Sequence, residues 1–275
     1  MATLKDAVYG LAVGDALGVP FEFKARGTFR ATGMVGFGTH RQQPGTWSDD
    51  TSMTLATCYS IKRAGGIDLD DMMDCFQSWL HEGDFTVEGK VFDVGGTTST
   101  AISHRKGEDG QWSNGNGSLM RIVPLAFLPD VSRGQVESVS ALTHAHEISK
   151  EACVIFVGAA RGLLAGKTVM EAVGEGFSLS KNPVFGRLPS IDQVSARDIK
   201  SSGYVVDTLE AAVWAAATTK SYEECVLRAV NLGEDTDTVG AVAGALAGIL
   251  YGWEGIPKKW IAGLRNRPLI DSCLF

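Results

Sequence analysis

Glycine recurs at four-residue spacing in two segments at opposite ends of the chain: Gly10, Gly14 and Gly18 near the front, Gly240, Gly244 and Gly248 near the back. Both rows lie in runs with helical periodicity, where each glycine weakens its helix by about 1 kcal/mol relative to alanine. Rows so costly imply close backbone approach between helices, and they place both helices at the centre of the fold. Elsewhere the pattern is also helical, because periodic segments recur while alternating strand patterns are scarce. The periodicity predicts helices over 4–17, 52–64, 69–81, 97–105, 136–142, 148–165, 170–180, 205–217, 222–232, 239–251 and 257–263, hence an all-α fold.

The 275 residues, 44% of them hydrophobic, suit one large domain over 1–275. No basic n-region followed by an apolar run opens the chain, and the longest apolar stretch, 239–253, is shorter than the roughly 18 residues of a membrane span. The expectation is a cytoplasmic protein, monomeric and without membrane contact. A net charge of −7 and the lack of any Lys/Arg-rich run exclude a broad nucleic-acid footprint. Cys58, Cys75, Cys153, Cys225 and Cys273 form no CxxC pair, which points to reduced core residues rather than disulfides or zinc ligands.

Two acidic clusters run directly into predicted helices: Trp47-Ser48-Asp49-Asp50-Thr51, and Gly233-Glu234-Asp235-Thr236-Asp237-Thr238. Either cluster alone reads as a helix N-cap, with its acids at the positive end of the helix dipole. A cap uses one such residue, whereas each cluster carries more acid than a cap needs. The helices behind them are apolar enough to be buried, and buried unpaired carboxylates are costly without a cation. Carboxylates with adjacent hydroxyls are hard oxygen ligands suited to Mg²⁺, Mn²⁺ or Ca²⁺. Brought together, the two clusters have the ligands for two such ions.

Polar loops span 22–45, 83–96, 106–117 and 181–203. The first is rich in glycine and aromatics; it and 181–203 are each long enough to fold over a ligand, although the latter reads equally as a disordered excursion. Asn114-Gly115-Asn116-Gly117-Ser118 offers backbone N–H groups to a diphosphate or is a plain surface turn, and Gly95-Gly96-Thr97 carries the same ambiguity. His144 and His146, two apart, face different sides of any helix and suit no shared metal.

At this point the motifs resemble, in order, those of the ADP-ribosylglycohydrolases, which include the dinitrogenase reductase-activating glycohydrolases and the ADP-ribosylarginine and ADP-ribosylserine hydrolases. The resemblance runs through Gly14-Asp15-Ala16-Leu17-Gly18-Val19-Pro20-Phe21-Glu22, Trp47 to Thr51, Asp93-Val94-Gly95-Gly96-Thr97-Thr98 and Gly115-Asn116-Gly117-Ser118-Leu119-Met120-Arg121. It continues through Leu142-Thr143-His144 and Gly203-Tyr204-Val205-Val206-Asp207-Thr208-Leu209-Glu210, and ends on Asn231 to Gly240.

The resemblance implies an orthogonal all-α bundle with a central cleft that holds two Mg²⁺ or Mn²⁺ ions and binds ADP-ribose. Its metal ligands fall on Ser48, Asp49, Asp50, Asp235, Asp237 and Thr238. The catalytic carboxylates it implies are Glu22, Asp93, Asp50 and Asp235, with Glu22 on a mobile loop. Nucleotide contacts fall on Gly95, Gly96, Thr97, Asn116, Gly117, Ser118, Met120, His144 and Tyr204. The implied reaction is attack of water on the anomeric carbon through an oxocarbenium-like state, with Glu22 or Asp93 as acid or base. The implied substrate is an ADP-ribosylated protein, arginine-linked by closeness to the bacterial members, or another ADP-ribose-containing molecule. For an arginine linkage, Glu22 and Glu88 are the acids open to a guanidinium. One departure is Glu234, where the family pattern has glycine or aspartate, which adds a carboxylate beside the metal ligands. Competing readings are a non-catalytic ADP-ribose binder, a two-metal phosphoester hydrolase and a purely structural helical protein.

Overall fold

The computed structural model describes residues 2–180 and 182–275, and in these its regular elements are α-helices and short 3-10 turns. The helices are α1 (Leu4–Gly18), α2 (Asp49–Ala64), α3 (Leu69–Glu82), α4 (Gly96–His104), α5 (Arg133–Ala141), α6 (Glu147–Leu164), α7 (Val169–Ser178), α8 (Val205–Ala217), α9 (Tyr222–Val230), α10 (Thr236–Gly255), α11 (Lys258–Gly263) and α12 (Arg267–Cys273). The all-α expectation holds, and all but α12 lie where periodicity put them. Helix α12 is only 7 residues long, too few to show a period, and it is held by burial of Ile270 and Cys273. Helix α10 begins earlier than predicted, inside the acidic cluster.

The two glycine-rich helices pack on each other. A Cβ built at Gly14 would lie 2.0 Å from the carbonyl oxygen of Gly240, one at Gly10 would lie 2.3 Å from that of Gly244, and one at Gly18 would meet the Cα of Asp237 at 2.3 Å. The pairing order makes α1 and α10 antiparallel. Helix α1 is buried along nearly its whole length and α10 from Thr236 to Ile249; Tyr222 of α9 ties in by donating to the Gly10 carbonyl at 2.6 Å, and the Thr236 hydroxyl donates to the Gly18 carbonyl at 2.8 Å. This contact carries the C-terminal end of α1 to the acidic start of α10.

Helix α2 is started by Ser48, whose hydroxyl accepts from the Asp50 N–H, and stopped by Gly65 in the left-handed conformation with φ 72°. Its buried face carries Met53, Leu55, Ala56, Cys58 and Ile61 into the core. The segment 181–203, described from Asn182 onward, folds into 3-10 turns at Pro183–Phe185, Leu188–Gln193 and Ala196–Asp198, with Phe185, Leu188 and Ile191 fully buried. It is packed rather than disordered, since those three apolar side chains anchor it. All five cysteines are free and buried, as their scatter implied. Among the described residues no helix is long and apolar enough to cross a membrane.

Candidate active site

Three structural features converge on one place: the N-terminus of α2, the N-terminus of α10, and the loop that follows α1. Asp15, near the C-terminal end of α1, ties that helix to the first. Its carboxylate is fully buried and accepts from the Ser48 N–H at 2.9 Å, from the Thr51 N–H at 3.1 Å and from the Thr51 hydroxyl at 2.5 Å. Burial pushes the Asp15 carboxyl up to about 7, against the lowering effect of these donors. The loop is fastened to the other cluster through its backbone, because the Phe23 N–H donates to the Glu234 carbonyl at 2.7 Å and the Glu234 N–H to that of Lys24 at 2.8 Å. Glu234 itself is exposed and adopts φ 61°. The departure seen in the sequence therefore acts through the main chain, and its extra carboxylate faces solvent.

Capping accounts for only part of the acid. Ser48 caps α2, but Asp235, at the corresponding place on α10, makes no side-chain cap. Asp49, Asp50 and Asp237 are buried, and Asp50 Oδ1, Asp235 Oδ1 and Asp237 Oδ2 are buried without any hydrogen-bond partner. Desolvation, and then the charges of neighbouring acids, raise the Asp49, Asp50 and Asp237 carboxyls well above the usual range. Carboxylate oxygens of Asp15, Asp50 and Asp237 lie within 4.8 Å of one another, and a second set formed by Glu22, His40, Asp93 and Asp237 is equally tight. The unpartnered buried oxygens of Asp50, Asp235 and Asp237 are donors suited to a hard divalent cation, whereas both Asp15 oxygens are already engaged by Ser48 and Thr51. Ser48 and Thr238 join the cluster through hydroxyls that donate to Asp50 Oδ2 at 3.0 Å and 3.4 Å.

Above this cluster opens a cavity of about 330 Å³, within the range of small-ligand sites. Glu22, Asp49, Asp93, Asp235 and Thr238 form its acidic floor, with Phe23 and Met120 alongside. Gly95, Gly96 and Thr97 at the start of α4 line one wall, and Gly115, Asn116 and Gly117 with His144 line another. Asn116 bridges wall and floor, donating from Nδ2 to Asp235 Oδ2 at 2.8 Å and to the Thr208 hydroxyl at 2.9 Å. Gly117 is required for this wall, since a Cβ there would lie 2.7 Å from His144 Cε1 and 2.8 Å from Thr98 Oγ1. A larger groove of about 1010 Å³, lined by Arg26, Arg30, Arg197, Arg228 and Trp214, contains none of the acidic cluster.

Two expected nucleotide contacts are not on this lining. Ser118 is fully buried, accepts from the Ser140 hydroxyl at 2.9 Å and sits 3.4 Å from the Cys153 sulfur, so its side chain points into the core. Tyr204 pairs its backbone with Gly115, but its ring is not among the lining groups. Glu88 is exposed, pairs with Arg265 and is not on this lining, while Glu22 lines the cavity but is buried.

Sequence reasoning missed two residues. Asp15 is one acid among apolar helix residues, and such a position gives no sign of its partners in the sequence. His40 lies in the polar loop 22–45, with no motif of its own to mark it. Its Nε2 is bonded to Glu22 Oε2 and lies 3.8 Å from Asp93 Oδ2. The Glu22 bond, aided by the Asp93 charge, raises the His40 pKa against the opposing effect of burial. Burial, and secondarily the Asp93 and Asp235 charges, push Glu22 up to about 7, while His40 pulls it down. The one available signal for His40 was the presence of a titratable ring in a loop already flanked by a candidate acid.

Comparison with known proteins agrees with this geometry. The family model described as ADP-ribosylglycohydrolase matches residues 2–274. The chain is 35% identical to ADP-ribosylarginine hydrolase Tri1 of Serratia proteamaculans, over 98% of this chain and 76% of that protein. It is 32% identical to the ADP-ribosyl-[dinitrogen reductase] glycohydrolase of Rhodospirillum rubrum, over 94% of this chain and 88% of that one. A solved structure titled ADP-ribosylglycohydrolase-related protein complex superposes with a TM-score of 0.81 at 32% identity, covering 97% of this chain and 93% of its own. With the fold, the acidic cluster and the full-length match in agreement, the chain belongs to the ADP-ribosylglycohydrolase family of glycosidic-bond hydrolases.

Proposed function

We propose that this protein is a metal-dependent hydrolase that removes ADP-ribose from modified arginine side chains of proteins. The observation that carries the metal dependence is the set of buried carboxylate oxygens on Asp50, Asp235 and Asp237 that no protein group satisfies. Asp49, Asp50, Asp235 and Asp237, with Ser48 and Thr238, are the residues that would hold two Mg²⁺ or Mn²⁺ ions. Asp15 positions them through the Ser48 and Thr51 contacts. When bound, such ions supply Lewis-acid polarisation, orient the ribose hydroxyls and lower the pKa of water.

The rest of the work falls to the chain's own groups. Glu22 is buried and held near neutrality, so it can take or give a proton at working pH, and His40 on its carboxylate fixes its orientation. Asp93 lies beside both and keeps the proton of the pair in place by its charge. The glycine walls let the main chain come close to a diphosphate. The arginine linkage is supported by the names of the relatives at 32–35% identity, which act on ADP-ribosylarginine or on ADP-ribosylated dinitrogen reductase.

The test is release of free ADP-ribose from ADP-ribosyl-arginine and ADP-ribosyl-serine peptides, with Mg²⁺ or with EDTA, by wild type and Asp235→Ala. Metal-dependent release from the arginine peptide, lost in the variant, is the expected result. Release from the serine peptide alone would reassign the linkage, and binding of ADP-ribose without release from either would make the protein a binder.

A further inference from the structure

Behind the glycine wall of the cavity lies a buried cation that the reaction does not use. Arg121 is fully buried, and its guanidinium sits 4.5 Å from the Phe76 ring centroid. Its Nη2 donates to the Val139 carbonyl at 3.1 Å and to the Thr143 hydroxyl oxygen at 2.9 Å, while Nε and Nη1 are buried without partners. The Thr143 hydroxyl, also fully buried, lies 3.0 Å from Nδ1 of His144. His144 is 3% exposed and lines the cavity, with Cε1 and Nε2 turned toward Gly117.

These contacts determine the direction of every hydrogen bond in the chain. A guanidinium can only donate, so the Thr143 oxygen accepts from Arg121. The Thr143 hydroxyl proton then needs an acceptor, and among the described residues the only one it meets is His144 Nδ1. If Nδ1 instead carried a proton, the buried Thr143 hydroxyl would be left with nowhere to donate, at a cost comparable to a lost buried hydrogen bond. We infer that Arg121, acting through Thr143, is a positioning residue that locks His144 as the neutral tautomer with its single ring proton on Nε2, so that the cavity wall presents an N–H donor to an oxygen of bound ADP-ribose.

Burial first, and then the Arg121 charge, lower the His144 pKa to about 3, which agrees with a neutral ring. A neutral donor suits this wall for a physical reason. An imidazolium there would stand close to a buried guanidinium, whereas a neutral ring offers a directed hydrogen bond to the ligand without that repulsion. Gly117 serves the same arrangement, because a side chain at that position would collide with the ring and displace Nε2.

The assignment of ADP-ribose as ligand rests on the proposed function; the tautomer does not. The first arm is ¹⁵N NMR of histidine-labelled wild type at pH 7, with the five histidines assigned by through-bond correlation. A His144 signal with Nε2 protonated and Nδ1 bare supports the proposal; protonation at Nδ1 or at both nitrogens overturns it, and neither reading requires a variant. The second arm compares Thr143→Val with Thr143→Ser. The valine form is expected to raise KM for the ADP-ribosylated peptide about tenfold, with kcat within about twofold, on the scale of one misdirected hydrogen bond to a charged ligand, and serine is expected to restore it. A valine variant with wild-type KM would overturn the positioning role. Wild type that fails to bind ADP-ribose at all would overturn the functional reading instead, leaving the tautomer to be decided by its ¹⁵N signature.

Discussion

The imidazole of His40 is bonded to the carboxylate of Glu22, although neither residue belongs to a helix and 18 positions separate them. That bond lowers a carboxyl which burial otherwise drives upward. Removing the ring removes the lowering, so the Glu22 pKa rises further in His40→Ala. Where Glu22 must be ionised to act as a base, the acidic limb of the pH dependence of kcat/KM then moves to higher pH. Activity at pH 7 is expected to fall by about a hundredfold, the lower end of the range for a misplaced acid–base group. A pH–rate profile of wild type and variant checks both statements, and an unmoved acidic limb would remove Glu22 from the base role.

Asp15 is expected to be a metal-affinity residue without being a required ligand. Its two oxygens accept from two backbone N–H groups and one hydroxyl. Asparagine keeps only one accepting oxygen and turns an NH₂ toward those donors. Asp15→Asn should fold with unchanged helical circular dichroism yet bind Mn²⁺ about ten- to a hundredfold more weakly by calorimetry, as the loss of a group supporting a metal ligand generally does. Unaltered affinity would mean that the Ser48–Thr51 turn holds its shape unaided.

Stability of the metal-free protein should rise as pH falls from 8 to 5. The Asp15 carboxyl stands at about 7 in the folded chain against an ordinary 3.8, and those of Asp49, Asp50 and Asp237 are raised well above it. Between the unfolded and folded pKa values the folded state binds more protons, so the slope of unfolding free energy with pH is negative there. The charge penalty is fully present above the folded values and absent below the unfolded ones. Thermal melts in EDTA are expected to show a Tm higher at pH 5 than at pH 8 by roughly 5 °C. Added Mn²⁺ should remove most of that difference by stabilising the protein at pH 8; a flat profile in EDTA would mean the carboxylates are compensated by groups other than a cation.

Gly14→Ala should destabilise more than its single methyl group implies. In most exposed helix positions alanine is the better helix former by about 1 kcal/mol. Here the added Cβ would lie 2.0 Å from the Gly240 carbonyl oxygen, a backbone atom that cannot turn aside. Overpacking costs typically about 1–3 kcal/mol, and displacing α1 from α10 also shifts Asp15 away from Asp237. A lowered Tm together with weakened metal binding is the expected pair of results. Gly66→Ala, where the added Cβ meets nothing within 4 Å, is the matched control and should leave both nearly unchanged.

Much of this protein is determined by sequence alone. Helical periodicity placed α1 to α11 because a buried stripe leaves a 3.6-residue trace, and the spacing of Gly10, Gly14 and Gly18 against Gly240, Gly244 and Gly248 announced a close helix contact because nothing else offsets that many glycines. Charge and hardness marked Asp49, Asp50, Asp235 and Asp237 because carboxylates leading into apolar helices need a cation. The tertiary structure alone decided which helix each glycine row met, that Ser118 faces Cys153 rather than the cavity, that Glu234 acts through its backbone, and that His40 reaches Glu22. Those outcomes depend on where a loop crosses a surface or which way a side chain turns from a buried turn. Such choices are made by packing between residues distant in the chain, and they leave no period, spacing or composition in the sequence to read.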